Sequence, residues 1–118
     1  MATENFDRVF KSVSGFFSVL SNPDRIKIIG LLLKKEMDVT EIHSELGISQ
    51  SRISQHLKLM RLKFLVEERR EGKHVYYHIK DSRISRVVES ALQFQMLGMT
   101  TDPETISLLK ELFVHWHI

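Results

Sequence analysis

Residues 39–62 read VTEIHSELGISQSRISQHLKLMRL, and the parsing of that stretch decides the fold. Val39, Ile42 and Leu46 recur at helical spacing, giving a short first helix one apolar face. Asp38 can cap that helix, and Glu41 three residues on completes a capping box. Gly47 ends it, because glycine enters the left-handed region without steric cost. Ile48 plugs the core and Ser49 caps the next helix. In that second helix Ile53, Leu57 and Met60 point inward at spacings of four and three. The opposite face carries Gln50, Ser51, Arg52, Ser54, Gln55, His56 and Lys58, the polar and basic types that bond base edges and phosphates. Two short helices around a glycine turn, the second polar-faced, are the form of a helix-turn-helix. An ordinary helical hairpin with a solvated face would share the local pattern, so the flanking sequence has to arbitrate.

Downstream, the period changes. FLVEERR and HVYYHIK, within residues 64–80, are rich in β-forming residues and flank Glu71-Gly72-Lys73, which predicts a β-hairpin. Arg69, Arg70 and Lys73 fall at or near its tip. A basic hairpin directly after a recognition helix is a wing, able to place cations on adjacent phosphates or in the minor groove. Asp81 or Ser82 is expected to cap a further helix reaching about Leu97, with Ile84, Val87, Val88, Ala91 and Leu92 as its apolar set. Gly98 and Met99 interrupt it, and a capping box from Thr101 to Glu104, with Pro103 inside the first turn, starts a last helix carrying Ile106, Leu109, Leu112, Phe113 and Trp116.

Upstream, Phe6, Val9, Phe10, Val13, Phe16, Phe17 and Leu20 form one wide apolar stripe on a helix over residues 4–20. Four phenylalanines on one helix exceed what a small core hides, which points to a dimer contact. Asn22 and Pro23 then start a second helix to about Leu33, with Ile26, Ile29, Leu32 and Leu33 buried.

The expected fold is therefore mostly α with a small β-hairpin. It is a winged helix-turn-helix of four helices, two strands, a fifth helix and a C-terminal helix, homodimeric. Residues 1–118 form a single DNA-binding domain, with the helix-turn-helix at about 39–62, the wing at about 64–80, and dimerisation helices at both ends. Phe6, Val9, Phe10, Val13 and Phe17 of the first helix, with Val87, Val88, Ala91 and Leu92 of the fifth, are the expected dimer surface.

Charge supports this division. Residues 50–83 hold nine basic and four acidic groups, whereas residues 1–49 hold six and seven, and residues 84–118 two and four. The formal net charge is only +2, so a basic patch coinciding with the motif in a near-neutral chain is an electrostatic footprint for a polyanion. The absence of cysteine excludes a disulfide framework, a thiolate metal site and a cysteine redox switch. No signal peptide or membrane-length apolar run is evident, so a cytoplasmic protein with no membrane partner is expected.

With these elements in place, the chain resembles the ArsR/SmtB family of bacterial winged-helix repressors over roughly residues 6 to 97. SNPDRIKIIGLL (21–32) is similar to the family's second-helix signature, and ISQSRISQHLKLMRLKFLVEERREGKHVYYHI (48–79) to its recognition helix and wing. The resemblance implies a homodimer gripping a palindromic operator through two recognition helices, with the first and fifth helices at the dimer interface. Many members sense metals. At the family's Cys-x-Cys site this chain has Asp38 and Thr40. At its fifth-helix site Asp81 is kept, but Arg83, Phe94 and Leu97 stand at the other ligand positions. Neither place offers a zinc or thiophilic donor set, so no metal and no cofactor is expected there. Among the six histidines, His115 and His117 are nearest to a metal signature, yet two residues apart on a helix they point about 200° from each other. His56 is expected on the DNA side, and His74 and His78 on a solvent-facing strand surface.

These readings predict a sequence-specific DNA-binding transcriptional regulator, a repressor acting on double-stranded DNA as a homodimer. Gln50, Ser51, Arg52, Ser54, Gln55 and His56 would contact bases or nearby phosphates, and Lys58, Arg69, Arg70 and Lys73 would neutralise backbone. An alternative is an effector- or protein-binding dimer, taking an unknown small molecule or protein, whose DNA binding is secondary; another is a metal sensor using the non-standard histidines. Enzyme function has no support: no cysteine nucleophile, no glycine-rich phosphate loop and no organised His–carboxylate pair is present.

Overall fold

The computed structural model describes residues 3–95, 98 and 102–117, with side-chain surroundings for residues 6–95, 98 and 102–112. The chain divides into two compact units after Asp81. The first unit holds α1 (Thr3–Leu20), α2 (Pro23–Leu32), α3 (Val39–Leu46), α4 (Gln50–Leu62), β1 (Val66–Glu71) and β2 (His74–Ile79). The second holds α5 (Ile84–Phe94) and α6 (Pro103–His117), which pack on each other. No helix among the described residues is long and apolar enough to cross a membrane.

Local chemistry sets most helix ends in the first unit. Asn22 Oδ1 accepts from the Asp24 and Arg25 amides, at 2.9 and 3.2 Å, and Pro23 occupies the first helical position of α2. The capping box at α3 is complete: Asp38 Oδ1 accepts from the Glu41 amide at 2.8 Å, and Glu41 Oε1 from the Asp38 amide at 3.3 Å. Gly47 closes α3 at φ 69°, ψ 9°, donating its amide to the His43 carbonyl. Ser49 Oγ accepts from the Arg52 amide at 3.2 Å and starts α4. The end of α4 is less ordinary. The Phe64 amide donates to the Arg61 carbonyl and the Leu65 amide to the Met60 carbonyl, which is a Schellman pair. Phe64 sits at φ 61°, a position glycine usually takes, and its ring is exposed with the Lys80 ammonium 5.1 Å from its centroid.

The core lies where α2, α3 and α4 meet the hairpin. Ile28, Ile29, Ile42, Ile53, Leu57, Met60 and Val66 are fully buried, each contributing roughly 2 kcal/mol by removal from water. Ile53, Leu57 and Met60 are the three expected inward positions of α4. In α2 the buried set is Ile28, Ile29 and Leu32, with Ile26 and Leu33 only half-buried; the helix is rotated from the expected face, so Ile28 takes the central place. On α1 Val19 is buried, while Phe6, Val9, Phe10, Val13 and Phe17 are 44–58% exposed.

β1 and β2 pair antiparallel from Val66↔Ile79 to Glu71↔His74, leaving Gly72-Lys73 as a two-residue turn. Gly72 has φ 60°, and Lys73 does not share a positive φ, the pattern of a type II′ hairpin. Met37, between α2 and α3, adds a bridge to Tyr77: each residue's amide donates to the other's carbonyl, at 3.1 and 2.8 Å. A helix-turn-helix followed by this hairpin is a winged helix-turn-helix.

In the second unit the expected helix starts change. α5 begins after Arg83 without a side-chain cap, its first turn made by tight bonds from the Ser85 and Arg86 amides to the Ser82 and Arg83 carbonyls. Neither Asp81 nor Ser82 therefore stands at the cap position. The expected end of this helix near Leu97 lies outside the described residues. At α6, Asp102 Oδ2 accepts from the Thr105 amide at 3.0 Å and from its hydroxyl. Asp102 thus caps the helix, while Thr101, the expected cap, lies outside the described residues.

Candidate nucleic-acid interface

Turning Ile53, Leu57 and Met60 inward forces the other face of α4 outward. Gln50, Ser51, Arg52, Ser54, Gln55 and Lys58 are all exposed there. This face presents amide, hydroxyl, guanidinium and ammonium donors on one straight helix, the chemistry of base-edge and phosphate contact. α3 packs across α4 and fixes it.

His56 departs from the expectation. Its side chain is only 13% exposed and is turned towards α2. Nδ1 lies 3.4 Å from Arg25 NH1, and Nε2 lies 3.7 Å from Asp24 Oδ2 with no hydrogen-bond partner. Four residues from Arg52, it falls on the flank of α4 nearest the α2 N-terminus rather than on the outer face. Burial, followed by the neighbouring Arg25 charge, holds its pKa below the usual histidine range.

Asp24 also takes Arg52. Arg52 NH2 donates to Asp24 Oδ2 at 2.6 Å, with the arginine side chain 62% and the aspartate 17% exposed. Arg25 anchors the group from behind, its Nε donating to the Val19 carbonyl at 2.6 Å at the end of α1.

The wing cations are unequal. Strand alternation puts Arg69, Glu71, His74 and Tyr76 on one face, and Glu68, Arg70, Val75 and Tyr77 on the other. Arg69 is held by Glu36, which accepts from its Nε and NH2, and by Glu71, 2.9 Å from NH1; its guanidinium also lies 4.8 Å over the Tyr76 ring. The hydrogen bond from Arg69 lowers the Glu36 pKa. Arg69 is thus engaged as a brace between the wing and the segment before α3, with its side chain 43% exposed. Glu68 is shared by Arg61 at 3.2 Å and Arg70 at 3.4 Å, leaving Arg70 largely exposed. Lys73 projects at the turn and is exposed, and among the described residues neither it nor Lys58 has an ion-pair partner. His78, expected in solvent, is half-buried with an unpartnered Nδ1. It shares its strand face with Arg69, on the side of the hairpin that meets Glu36. His74 stays exposed, 4.0 Å from Asp38.

The expected dimer surface is also mixed. The α1 stripe is exposed, and so is Ala91. Val87 and Leu92 are half-buried, and Val88 is buried within this chain at 7% exposure, so it has little surface to offer a partner. The side chains of His115 and His117 lie outside the described residues. Among the described residues no group of three His, Asp or Glu side chains is arranged to hold a metal.

Sequence reasoning missed the carboxylates. Asp24, Glu36 and Glu68 organise the cations of the face, yet Asp24 and Glu36 are 28 and 33 residues from the arginines they hold. Charge alternation within a strand could have found Glu68.

Comparison with known proteins supports this frame. The family described as "Bacterial regulatory protein, arsR family" matches residues 22–68, from the α2 cap into β1. The transcriptional repressor SmtB homolog of Synechocystis is 31% identical over 74 residues, covering 63% of this chain and 56% of that protein. The cadmium resistance transcriptional regulatory protein CadC of Listeria innocua is 36% identical over 92 residues, covering 77% and 76%. The crystal structure of NolR from Sinorhizobium fredii superposes with a TM-score of 0.71 at 30% identity, covering 80% of this chain and 93% of that one. Matches to the first curated relatives span only 56–62% of their lengths. The fold, the helix-turn-helix match and the CadC identity together show that the chain belongs to the ArsR family of bacterial regulatory proteins.

Proposed function

We propose that this protein is a cytoplasmic, sequence-specific DNA-binding transcriptional regulator that represses by occupying a palindromic operator as a homodimer. The observation that carries the reading is the outer face of α4: six exposed polar and basic side chains backed by three fully buried apolar ones. Gln50, Ser51, Arg52, Ser54 and Gln55 are the base-reading candidates. Lys58, Arg70 and Lys73 supply backbone charge, and Arg69 acts through the wing's geometry. The repressor reading follows the kinship with the SmtB homolog; kinship with the transcriptional activator HlyU of Vibrio cholerae, 36% identical over 70 residues, points to activation, and the position of the operator relative to the promoter decides between them.

The dimer is supported by the α1 stripe. Five large apolar side chains left about half exposed on one helix make a contiguous patch of the kind that marks an interface. A second copy related by a two-fold axis would cover it with the same patch and give two recognition helices.

The test is selection of duplexes from a random library by the purified protein, then fluorescence anisotropy against a scrambled duplex over a range of salt. A two-fold symmetric enriched site, half-sites about 34 Å apart, with a preference of about a thousandfold, is expected. Equal, weak binding to all duplexes would sink the proposal and favour a dimer that serves another partner.

A further inference from the structure

We infer that Asp24 is a positioning residue that aims Arg52 at a base, so that a carboxylate on α2 sets part of the sequence specificity of α4. The inference rests on the DNA-reading function proposed above. Arg52 lies in the first turn of α4, on its exposed face. One amino group of the guanidinium is held by Asp24 Oδ2 at 2.6 Å. Among the described residues its Nε and second amino group have no protein partner. An arginine carries five donors in a planar fork, so one edge can be tethered while the remaining donors stay open. Guanine O6 and N7 accept from such an open pair. An untethered arginine would have to freeze several torsions on reaching the base; a tethered one has already done so.

The tether is itself fixed from three sides. The Asp24 amide is bonded to the Asn22 cap at 2.9 Å, which pins its backbone at the start of α2. The half-buried His56 ring, one turn along α4 from Arg52, stands 3.7 Å from the same carboxylate oxygen. Arg25 closes the row behind His56 and is locked to the Val19 carbonyl. A surface ion pair with both partners exposed would carry no such meaning; here the aspartate side chain is only 17% exposed and the arginine 62%. The opposite role, a clamp that withholds Arg52 from DNA, predicts the reverse sign in the same experiment.

The test uses the full chain and the duplexes it enriches from a random library. Asp24→Ala should lower the preference for the enriched over the scrambled duplex about tenfold, the discrimination of one bidentate contact. Binding to the scrambled duplex should not weaken, since a negative charge has been removed from the face. In an Arg52→Ala background Asp24→Ala should cause no further loss, because the two residues act as one unit. Asp24→Asn, which keeps the shape and loses the charge, is the second variant and should fall between Ala and wild type, whatever small change in thermal stability Ala brings. An unchanged or increased preference in Asp24→Ala overturns the inference while leaving the DNA-reading function intact. An equal loss with and without Arg52 also overturns it. Failure to enrich any sequence overturns the DNA-reading function and this inference together.

Discussion

Gly47→Ala isolates the turn of the helix-turn-helix. Gly47 has φ 69°, and a Cβ built there meets nothing within 4 Å, so the substitution carries no clash and tests backbone conformation alone. Placing an L-residue in the left-handed region costs about 1–2 kcal/mol. Alanine recovers roughly 0.4–1 kcal/mol by restricting the unfolded chain, leaving a net destabilisation of about 1 kcal/mol. For a domain this size that is a fall in Tm of about 4 °C. Gly15→Ala is the internal control. It lies inside α1, also with nothing within 4 Å of its Cβ and without a positive φ, so the same exchange should stabilise by about 0.5–1 kcal/mol. Urea unfolding followed by far-ultraviolet circular dichroism, at one protein concentration, gives both values if the denaturant slope is unchanged. A Gly47→Ala protein as stable as wild type would refute the conformational account of the turn. Equal shifts at the two sites would show that something other than φ decides the sign.

Other perturbations probe different parts of the molecule. Asp38→Ala removes the acceptor of the α3 capping box and should cost about 1 kcal/mol in the same unfolding assay. Leu57→Ala empties a fully buried site and should cost about 2–5 kcal/mol, read as a large drop in thermal midpoint. The lowered His56 pKa has a defined sign: below about pH 6.5 the unfolded chain takes up this proton first. Its contribution to stability is therefore full above that pH and is lost as pH falls towards the folded pKa. An NMR titration should place the His56 midpoint below that of a free histidine, and His56→Gln should flatten stability across that window. Phe10→Glu, on the exposed α1 stripe, should convert a dimer to a monomer by sedimentation at micromolar concentration; an unaltered dimer would remove α1 from the interface.

The parts of this fold that the sequence made legible are those written within one turn of helix or hairpin. Asn22, Asp38 with Glu41, Gly47 and Ser49 act on amides or carbonyls two to four residues away, so each cap could be read directly. Ile53, Leu57 and Met60 follow from periodicity in a helix with a single buried face. α2 was harder because Ile26, Ile28, Ile29, Leu31, Leu32 and Leu33 are apolar nearly all round. Only its neighbours decide that Ile28 is central. The Schellman turn at Phe64 left no signal, since the usual glycine is absent. On the candidate nucleic-acid face, exposure of α4 was legible, while the fates of Arg52, His56 and Arg69 were not. Their partners Asp24 and Glu36 are brought near only by the tertiary fold, and a charged residue's local sequence does not reveal which distant carboxylate will hold it.

The bridge between Met37 and Tyr77 ties the start of the helix-turn-helix to the far strand of the wing. Everything between them, α3, α4 and β1, is one closed loop in the folded chain. Closing such a loop costs entropy that grows only slowly with its length, but it cannot be recovered piecemeal. The wing cannot peel away without breaking two mutual hydrogen bonds at the entrance to α3. α4 and the wing are therefore expected to open as one unit, with the Met37 and Tyr77 amides exchanging at matching rates in a hydrogen-exchange measurement. The consequence is geometric: a bridge at the entrance to α3 sets the hairpin in register with α4, so that the two form one tool rather than two hinged ones.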